Sequence, residues 1–289
     1  MLANILVTGL MNAGVYALLA VGFSLIFGAA RIINLSHTAF YMAAAFAMFY
    51  LTVTRGLNVY LAIPIALAIV AVLGTIVYKL IIDPLREHEA TVLIVTLATA
   101  ILFQEGLLLG FGGHYRGVPS LWAGYTTLLG VRVTYQYLLT LAVVIVASTC
   151  LWALLQHSRL GIAIRATAQD REVANLMGMD VSRVATVAMV IGVVLAGVAG
   201  VMVAPIYVLE PHMWQPPMVT ILAVVVLGGL GSIKGSFIGA VILALAEVLV
   251  VFLVPQGAFL KAALALTLML AILLIRPEGL FGVLFEGER

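Results

Sequence analysis

The chain has 289 residues, of which 64% are hydrophobic and only 9% are charged. Soluble domains carry roughly 25% charged residues, so this sequence has too few charges to cover a surface that faces water. The formal net charge of +2 is too small to indicate nucleic acid or another acidic partner. The first basic residue is Arg31, which argues against a cleaved signal peptide. We therefore predict an all-α integral membrane protein with a single transmembrane domain over residues 1–289.

Apolar stretches long enough to cross a bilayer recur along the chain. A membrane-spanning helix needs roughly 20 mainly apolar residues, because it crosses about 30 Å of hydrocarbon. This rule predicts helices near 5–27, 38–54, 61–81, 91–111, 135–156, 184–204, 217–231, 236–254 and 259–275. Segment 38–54 is short and segment 217–231 ends in glycines, so either one is a candidate for a broken or re-entrant helix. The expected number of crossings is eight or nine.

The distribution of Lys and Arg predicts which loops face the cytoplasm. Ten of the 14 basic residues fall on one side, in the loops 28–37, 79–90, 157–183 and 232–235 and in the tail from 276. The remaining four fall on the opposite side and are Arg55, Arg116, Arg132 and Lys261. The first side is expected to be cytoplasmic. This orientation places the C-terminus inside and, for nine crossings, the N-terminus outside.

A weak internal repeat at an offset of 200 residues relates two turns on the cytoplasmic side. The matching positions are Gly28, Ile33, Ser36 and Ala44 in one turn and Gly228, Ile233, Ser236 and Ala244 in the other. Each window contains an apolar helix, a short polar turn and a helix of small residues. Because transporters often place their pathway between repeats that contain discontinuous helices, we keep this duplication as a hypothesis.

Loop 157–183 is the most polar stretch of the chain. Asp170 is a plausible N-cap and Gly178 a plausible residue just past a helix C-terminus, so a short helix is predicted between them. One side of this helix is apolar and carries Val173, Ala174, Leu176 and Met177. Two interpretations stay open from the residues alone: a helix that docks into a groove of another protein, or a helix that lies on lipid headgroups.

Polar residues mark the start of the second predicted helix. Asn34 or Ser36 can cap this helix, and His37 falls in its first turn. Free N–H groups at a helix start within the membrane are suited to contact a substrate. We favour simple capping with an interfacial histidine, and a place in a translocation pathway is the alternative.

Glycines are concentrated in residues 227–236, which include Gly228, Gly229, Gly231 and Ser232. The phosphate-binding pattern GxxxxGK[ST] occurs neither here nor elsewhere in the chain, so no site for ATP hydrolysis is predicted. These glycines are expected to allow a tight turn and a close approach of helices. Small residues also recur every four positions in segment 184–204, which predicts close helix packing there: Gly192, Ala196 and Gly200.

Carboxylates at membrane depth are rare and by default indicate a functional site. Glu105, beside Gln104, lies in the fourth predicted helix, and Glu247 lies near the middle of the eighth. Each is expected either to line a polar pathway or to form a structural hydrogen bond between helices. The sequence contains no metal-ligand pattern and no nucleophile–base motif, so neither a metal site nor a catalytic residue is predicted.

Several segments together resemble the permease subunits of bacterial and archaeal branched-chain amino acid ABC transporters, the LivH-type family. The stretches that carry the resemblance are Ile33-Asn34 with His37 and Phe40-Tyr41-Met42, Ser158 to Gly178, Ala196-Gly197-x-Ala199-Gly200, Val226 to Gly235, and Arg276-Pro277-x-Gly279-Leu280-Phe281-Gly282. They occur in the family's order and extend over nearly the whole chain. Many relatives have Gly and then an acidic residue after the histidine, where this chain has Thr38 and Ala39. This difference weakens any role for an acidic group of that turn in substrate binding.

The resemblance implies a subunit of an ATP-driven importer for amino acids, mainly Leu, Ile and Val, in the inner membrane of a prokaryote. Such a chain pairs with a second, homologous permease. Two cytoplasmic ATPase subunits and an extracytoplasmic substrate-binding protein complete the system. ATP and Mg²⁺ are expected on the ATPase subunits and no cofactor in this chain. Membrane lipid is an expected contact and nucleic acid is not.

The resemblance also implies that loop 157–183 is a coupling loop whose short helix sits in a cleft of the ATPase. The residues expected to shape it are Gly161, Arg165, Ala166, Asp170, Ala174, Leu176 and Gly178. The candidate pathway residues are Asn34, Ser36, His37 and Glu247, and the expected glycine turn contains Gly228, Gly229, Gly231 and Ser232. The alternatives are an ABC permease for another small solute (an amide, urea, an aromatic acid or a sugar), an ion-coupled secondary transporter, and an intramembrane enzyme.

Overall fold

The structure, a computed structural model, describes residues 2–128 and 130–282. This part of the chain forms eleven α-helices: α1 (Leu2–Ala30), α2 (His37–Phe49), α3 (Val59–Val77), α4 (Glu89–Phe111), α5 (Tyr135–His157), α6 (Arg159–Gln169), α7 (Arg171–Leu176), α8 (Val181–Val203), α9 (Gln215–Gly228), α10 (Ile233–Leu253) and α11 (Lys261–Ile275). A π-helical turn, Tyr50–Thr54, extends α2, and the turns Tyr78–Ile82 and Asp83–Leu85 extend α3. A 3₁₀ turn, Gly257–Leu260, precedes α11. Every predicted span coincides with one of these helices to within a few residues.

Seven helical stretches of the described chain are long and apolar enough to cross a membrane. They are Leu2–Ala30, Val59–Leu85, Glu89–Phe111, Tyr135–His157, Val181–Val203, Ile233–Leu253 and Gly257–Ile275. The other two predicted spans correspond to α2 and α9, which have 13 and 14 residues. Helices of that length do not cross about 30 Å of hydrocarbon unaided. The multi-pass helical fold is therefore confirmed, but the count of eight or nine crossings is not.

Helix α1 lies at the centre of the bundle and packs against α8 and α10. Helix α1 crosses α8 closely because Gly22 and Gly192 face each other. A Cβ on Gly22 would lie 2.9 Å from the Gly192 carbonyl oxygen, and a Cβ on Gly192 would lie 2.7 Å from the Gly22 carbonyl oxygen. Farther along α8, a Cβ on Gly200 would lie 2.1 Å from the Tyr41 carbonyl oxygen of α2. The predicted close packing of small residues in α8 is thus confirmed.

Helix α2 begins deep inside the bundle. The chain leaves α1 at Arg31, which has a φ of +56°, and residues 31–34 have no regular structure. His37 is the first residue of α2. Its Nε2 atom lies 3.0 Å from the carbonyl oxygen of Leu19. Leu19 precedes the end of α1 by eleven residues, or about 16 Å along the helix axis. Residues 31–36 therefore run back alongside α1 before α2 starts.

The loop between α4 and α5 contains a short hairpin that the all-α prediction omitted. Strands β1 (Tyr125–Leu128) and β2 (Val131–Thr134) pair antiparallel, with Tyr125 opposite Thr134. These strands are rich in β-branched residues, but four residues are too few to produce a clear alternating pattern. Earlier in this loop, Arg116 exchanges two backbone hydrogen bonds with Leu209, at 3.0 and 2.9 Å, which ties the loop to the connection between α8 and α9.

The internal repeat stays a prediction. Ser36 occupies the N-cap position of α2, but its proposed counterpart Ser236 lies in the first turn of α10, where Ser232 is the N-cap. The caps are therefore 196 residues apart rather than 200. The two turns do meet at one end of the bundle, because Gly28 lies against Gly231 and the hydroxyls of Ser24 and Ser236 share a buried hydrogen bond.

Candidate functional site

The predicted coupling loop begins with α6, which packs tightly on the end of α5. Ser158 caps α6 by accepting the Gly161 N–H at 2.9 Å. A Cβ on Gly161 would lie 2.3 Å from the Leu154 carbonyl oxygen, so this position has no room for a side chain. Arg165 is exposed and Ala166 is half-buried on the same helix. The glycine therefore fixes where α6 sits, and the arginine is available for contacts outside the chain.

The short helix α7 has the caps that its sequence predicts. The Asp170 carboxylate accepts the backbone N–H groups of Glu172 and Val173 at 2.9 and 3.0 Å. Gly178 follows the helix with a φ of +83°, and the next N–H bonds back to the Ala174 carbonyl oxygen at 3.1 Å. This arrangement favours glycine, because the left-handed conformation costs other residues roughly 1–2 kcal/mol. Asp170 and Gly178 thus delimit α7.

Most of the apolar side of α7 points away from the protein. Val173, Leu176 and Met177 are 52%, 84% and 76% exposed, whereas Ala174 is only 3% exposed. Ala174 therefore anchors the helix to the rest of the chain. The other three side chains form an exposed apolar surface, which we call the outer face of α7. Contiguous apolar surface of this kind is typical of an interaction site.

Two arginines tie the coupling loop to the end of α1. Arg31 Nη2 donates to the Ala168 carbonyl oxygen at 2.7 Å, and Arg171 Nη1 donates to the Ala30 carbonyl oxygen at 3.4 Å. Burial lowers the pKa of the Arg31 guanidinium, and the nearby Asp170 carboxylate opposes that shift. These two bonds join the coupling loop to the point where α1 ends and segment 31–36 begins. The sequence carried no signal for these pairs, which lie more than 130 positions apart.

The polar residues at the start of α2 are all buried. Asn34, Ser36 and His37 are at most 1% exposed. The Asn34 side-chain oxygen accepts the Ser36 N–H at 3.0 Å and the Ser36 hydroxyl at 2.6 Å, whereas Ser36 makes no side-chain cap bond of its own. Because a carbonyl oxygen only accepts, the contact with Leu19 fixes His37 Nε2 as a donor. Asn34 is thus the residue that organises this turn.

Two polar atoms at the start of α2 have no hydrogen-bond partner among the described residues. They are His37 Nδ1 and Thr38 Oγ1, and both are buried. They adjoin a narrow cleft between α1, α2 and α9, to which Phe23 and Met218 contribute. An unsatisfied buried polar group costs roughly 1–3 kcal/mol. These two atoms are therefore unsatisfied polar groups beside a cleft with room for about one water molecule.

Glu247 belongs to α10 and faces α1. It is 1% exposed, and its Oε2 accepts the Tyr16 hydroxyl at 2.9 Å. Thr220 of α9 and Lys261 at the start of α11 are near enough to interact with the same carboxyl group. The bond to Tyr16 joins two helices, as the structural alternative expects, but Glu247 Oε1 is buried without a partner among the described residues, so the pathway alternative stays open as well.

We expect Tyr16→Phe to lower the midpoint of thermal unfolding, because it leaves a buried carboxyl oxygen without its donor. Hydrogen bonds between membrane helices contribute roughly 0.6–1.7 kcal/mol, so the loss should be of that size. The measurement is a melting curve of the purified chain in detergent, with Tyr60→Phe as the matched control, since Tyr60 is 71% exposed. If Tyr16→Phe and Tyr60→Phe melt alike, the hydrogen bond does not stabilise the bundle.

A polar cluster around Gln104 fixes the start of α9. Gln104 is 7% exposed, and its Oε1 accepts the Trp214 indole N–H at 2.9 Å and the Gln215 amide at 3.2 Å. Its amide nitrogen donates to the exposed carboxylate of Glu105 at 3.0 Å. Gln104 and Glu105 stand out in the sequence as polar residues within an apolar helix. The contacts of Gln104 with Trp214 and Gln215 could not be predicted, because these partners lie more than 100 positions away.

The glycine turn joins α9 to α10 where side chains would not fit. A Cβ on Gly228 would lie 2.3 Å from the Gly235 carbonyl oxygen. Gly229 and Gly231 have φ values of +101° and +80°, which L-residues with side chains rarely adopt. Ser232 caps α10 by accepting the Gly235 N–H at 3.1 Å. The expected tight turn and close helix approach are therefore present.

The C-terminal segment covers this turn. The backbone N–H groups of Leu280 and Phe281 bind the carbonyl oxygens of Leu227 and Gly228, at 2.9 and 3.0 Å. These two carbonyls belong to the end of α9, where a helix leaves its last four acceptors unsatisfied. Two of the motifs that carried the family resemblance, far apart in the chain, thus form one structural unit.

Comparisons with known proteins identify the family. The family described as the permease component of branched-chain amino acid transport systems matches residues 5–275. The chain belongs to this family. The high-affinity branched-chain amino acid permease protein LivH of Escherichia coli (strain K12) is 28% identical over 95% of this chain and 93% of LivH. BraD of Pseudomonas aeruginosa is 28% identical over 96% of this chain and 94% of BraD.

A solved structure shows the same fold. PsaBC from Streptococcus pneumoniae, solved in complex with Fab, superposes with a TM-score of 0.55 over 95% of this chain and 92% of that chain. The identity is 14%, so the similarity concerns the fold alone. The family match confirms the LivH-type resemblance that the sequence motifs indicated.

Proposed function

We propose that this chain is the membrane subunit of an ATP-driven importer and forms the translocation pathway for Leu, Ile and Val. Family membership supports the substrate class. The observation that carries the subunit role is the outer face of α7, which is apolar, exposed and linked to α1 through Arg31 and Arg171. Such a helix is suited to the groove of a cytoplasmic ATPase. ATP and Mg²⁺ then bind to that partner, and this chain is non-catalytic and holds no cofactor.

The proposed topology has nine crossings, with the N-terminus outside and the C-terminus in the cytoplasm of a prokaryote. Segment 31–36 together with α2 makes one crossing, and the connection before α9 completes another. Irregular backbone is tolerated at membrane depth where protein surrounds it, as it surrounds Asn34 and Ser36 here. The excess of Lys and Arg on the side of the coupling loop supports this orientation.

The proposed pathway follows α2, α4 and α9. Glu105 is an exposed carboxylate within α4, and a carboxylate at this depth is costly in lipid. A second, homologous permease that covers this surface would shield Glu105 from lipid and place the pathway between the two chains. The cleft beside His37 and Thr38 is lined by residues of two of these elements, α2 and α9. An extracytoplasmic binding protein delivers the substrate to this pathway and sets most of its selectivity.

In the proposed mechanism, ATP binding closes the ATPase pair and displaces α7. The bonds of Arg31 and Arg171 transmit that displacement to the end of α1 and to segment 31–36. The start of α2 then moves relative to α9, and the cleft beside His37 opens alternately to the two sides of the membrane. Asn34 keeps the turn intact during this motion.

Co-purification tests the proposal. We expect a tagged chain, expressed with the neighbouring genes of its operon, to retain an ATPase and a second permease. The complex in proteoliposomes is expected to import leucine only with internal ATP and with the operon's binding protein. Import of urea or a sugar instead of leucine would change the substrate class. A chain that purifies alone and transports without ATP would overturn the subunit role and favour an ion-coupled mechanism through Glu105 or Glu247.

A further inference from the structure

A half-open cavity lies between the ends of α1 and α5, helix α6 and the glycine turn. Its volume is about 220 Å³, which is smaller than the roughly 300–1,000 Å³ of pockets that enclose a whole drug-sized ligand. Most of its lining is apolar, with Leu25 from α1, Trp152 and Leu155 from α5 and Ile164 from α6. The coupling loop and the glycine turn contribute Arg165, Gly231 and Ser232 to its lining, but neither motif has been assigned a ligand.

The cavity spans the boundary between hydrocarbon and headgroups. Its inner wall is formed by the last two turns of α1 and of α5, which are apolar. Its outer rim is formed by α6 and by the turn before α10, on the side that holds ten of the 14 basic residues. Trp152 is 54% exposed at this level, where tryptophan is enriched in membrane proteins.

The rim carries positive charge without a compensating carboxylate. Arg165 and Lys234 are both exposed and line the cavity, and none of the described residues that line it is acidic. Arg165 gives one N–H to Gln156 at 2.6 Å, which orients the guanidinium and leaves most of its five donors available. Arg165 belongs to α6 and Lys234 to the first turn of α10, so a ligand held by both would bridge these two helices.

We propose that this cavity binds an anionic phospholipid, with its phosphate between Arg165 and Lys234 and one acyl chain along Trp152 and Leu155. A basic rim above an apolar cleft between helices matches a lipid with a charged headgroup. A free phosphate would satisfy the cations but would leave the apolar wall uncovered. The lipid would clamp the coupling loop to the start of α10.

Native mass spectrometry of the full chain in detergent tests this site with phosphatidylglycerol and phosphatidylethanolamine of identical acyl chains. We expect phosphatidylglycerol to bind more tightly. Each cation near an anionic lipid is worth about a fivefold change in affinity, so Arg165→Gln with Lys234→Gln should weaken phosphatidylglycerol binding by roughly 25-fold. Lys79→Gln, an exposed cation on the same side but away from the cavity, is the matched control and should change nothing.

Two further measurements distinguish a phospholipid from inorganic phosphate as the ligand of the two cations. Trp152→Ala should weaken binding of both lipids, because it removes part of the wall that the acyl chain covers. Inorganic phosphate at millimolar concentration should not displace the lipid. Equal binding of the two lipids, an equal loss in Lys79→Gln, or displacement by inorganic phosphate would each overturn the proposal.

Discussion

Replacing Leu176 with Glu is expected to abolish coupled transport and leave the fold intact. The side chain is 84% exposed in this chain, so the new carboxylate meets water and does not disturb the core. Docked in an ATPase groove, the same carboxylate would be buried without a partner, which costs about 3–5 kcal/mol. Association with the ATPase should therefore weaken by at least roughly 100-fold. The readouts are the amount of ATPase that co-purifies and ATP-dependent leucine uptake in proteoliposomes.

Asn175→Glu is the matched control, because it adds the same charge to the adjacent, polar position of α7 and should preserve binding.

Gly178→Val tests the coupling role by changing the backbone conformation at the end of α7 and not its exposed surface. Its φ of +83° strains any β-branched residue, although no described atom lies within 4 Å of the added Cβ. We expect ATP hydrolysis without uptake in Gly178→Val and near-normal uptake in Gly178→Asn, since Asn tolerates this conformation. Normal uptake in both Leu176→Glu and Gly178→Val would remove α7 from the coupling role.

Replacing Gly200 with Leu is expected to prevent the bundle from assembling. A Cβ at this position would lie 2.1 Å from the Tyr41 carbonyl oxygen, so α8 and α2 would have to separate. Overpacking usually costs about 1–3 kcal/mol, and a clash with backbone rather than with a flexible side chain should exceed that range. The measurement is the yield of monodisperse chain in detergent together with its midpoint of thermal unfolding.

Gly106→Leu provides the comparison for that variant. Gly106 is also inside a long helix, α4, but no described atom lies within 4 Å of its Cβ position. The chain carrying Gly106→Leu should purify and melt like the parent. Identical behaviour of the two variants would show that the contact between α8 and α2 does not control assembly.

The positions of the helices were predictable because lipid leaves the backbone no alternative. Unpaired N–H and C=O groups are too costly in hydrocarbon, so an apolar stretch of sufficient length becomes a helix. The caps of α7 were predictable for a related reason. Asp170 bonds to N–H groups two and three positions ahead, and Gly178 supplies a conformation that other residues avoid, so both signals are local.

The contacts that build the candidate site were not predictable, because they join residues far apart in the chain. Arg31 bonds to Ala168, Gln104 accepts from Trp214, and Glu247 pairs with Tyr16. Hydrophobic patterns and caps depend on residues within about four positions of each other. In a contact between distant residues they can therefore indicate one of the two residues but not its partner. The depth at which α2 starts depends on such contacts too. The sequence therefore indicated Asn34, Ser36 and His37, but not that Ser36 occupies the N-cap position without a side-chain cap bond and is itself held by Asn34.

The bonds from Leu280 and Phe281 to the end of α9 have a consequence for biosynthesis. The end of α9 is synthesised about 50 residues before Leu280 and Phe281. Until then, the carbonyl oxygens of Leu227 and Gly228 lack these donors. A nascent chain that has reached only Ile275 already contains all seven long apolar stretches of the described region. The end of α9 therefore gains these two donors only after all seven stretches have been synthesised.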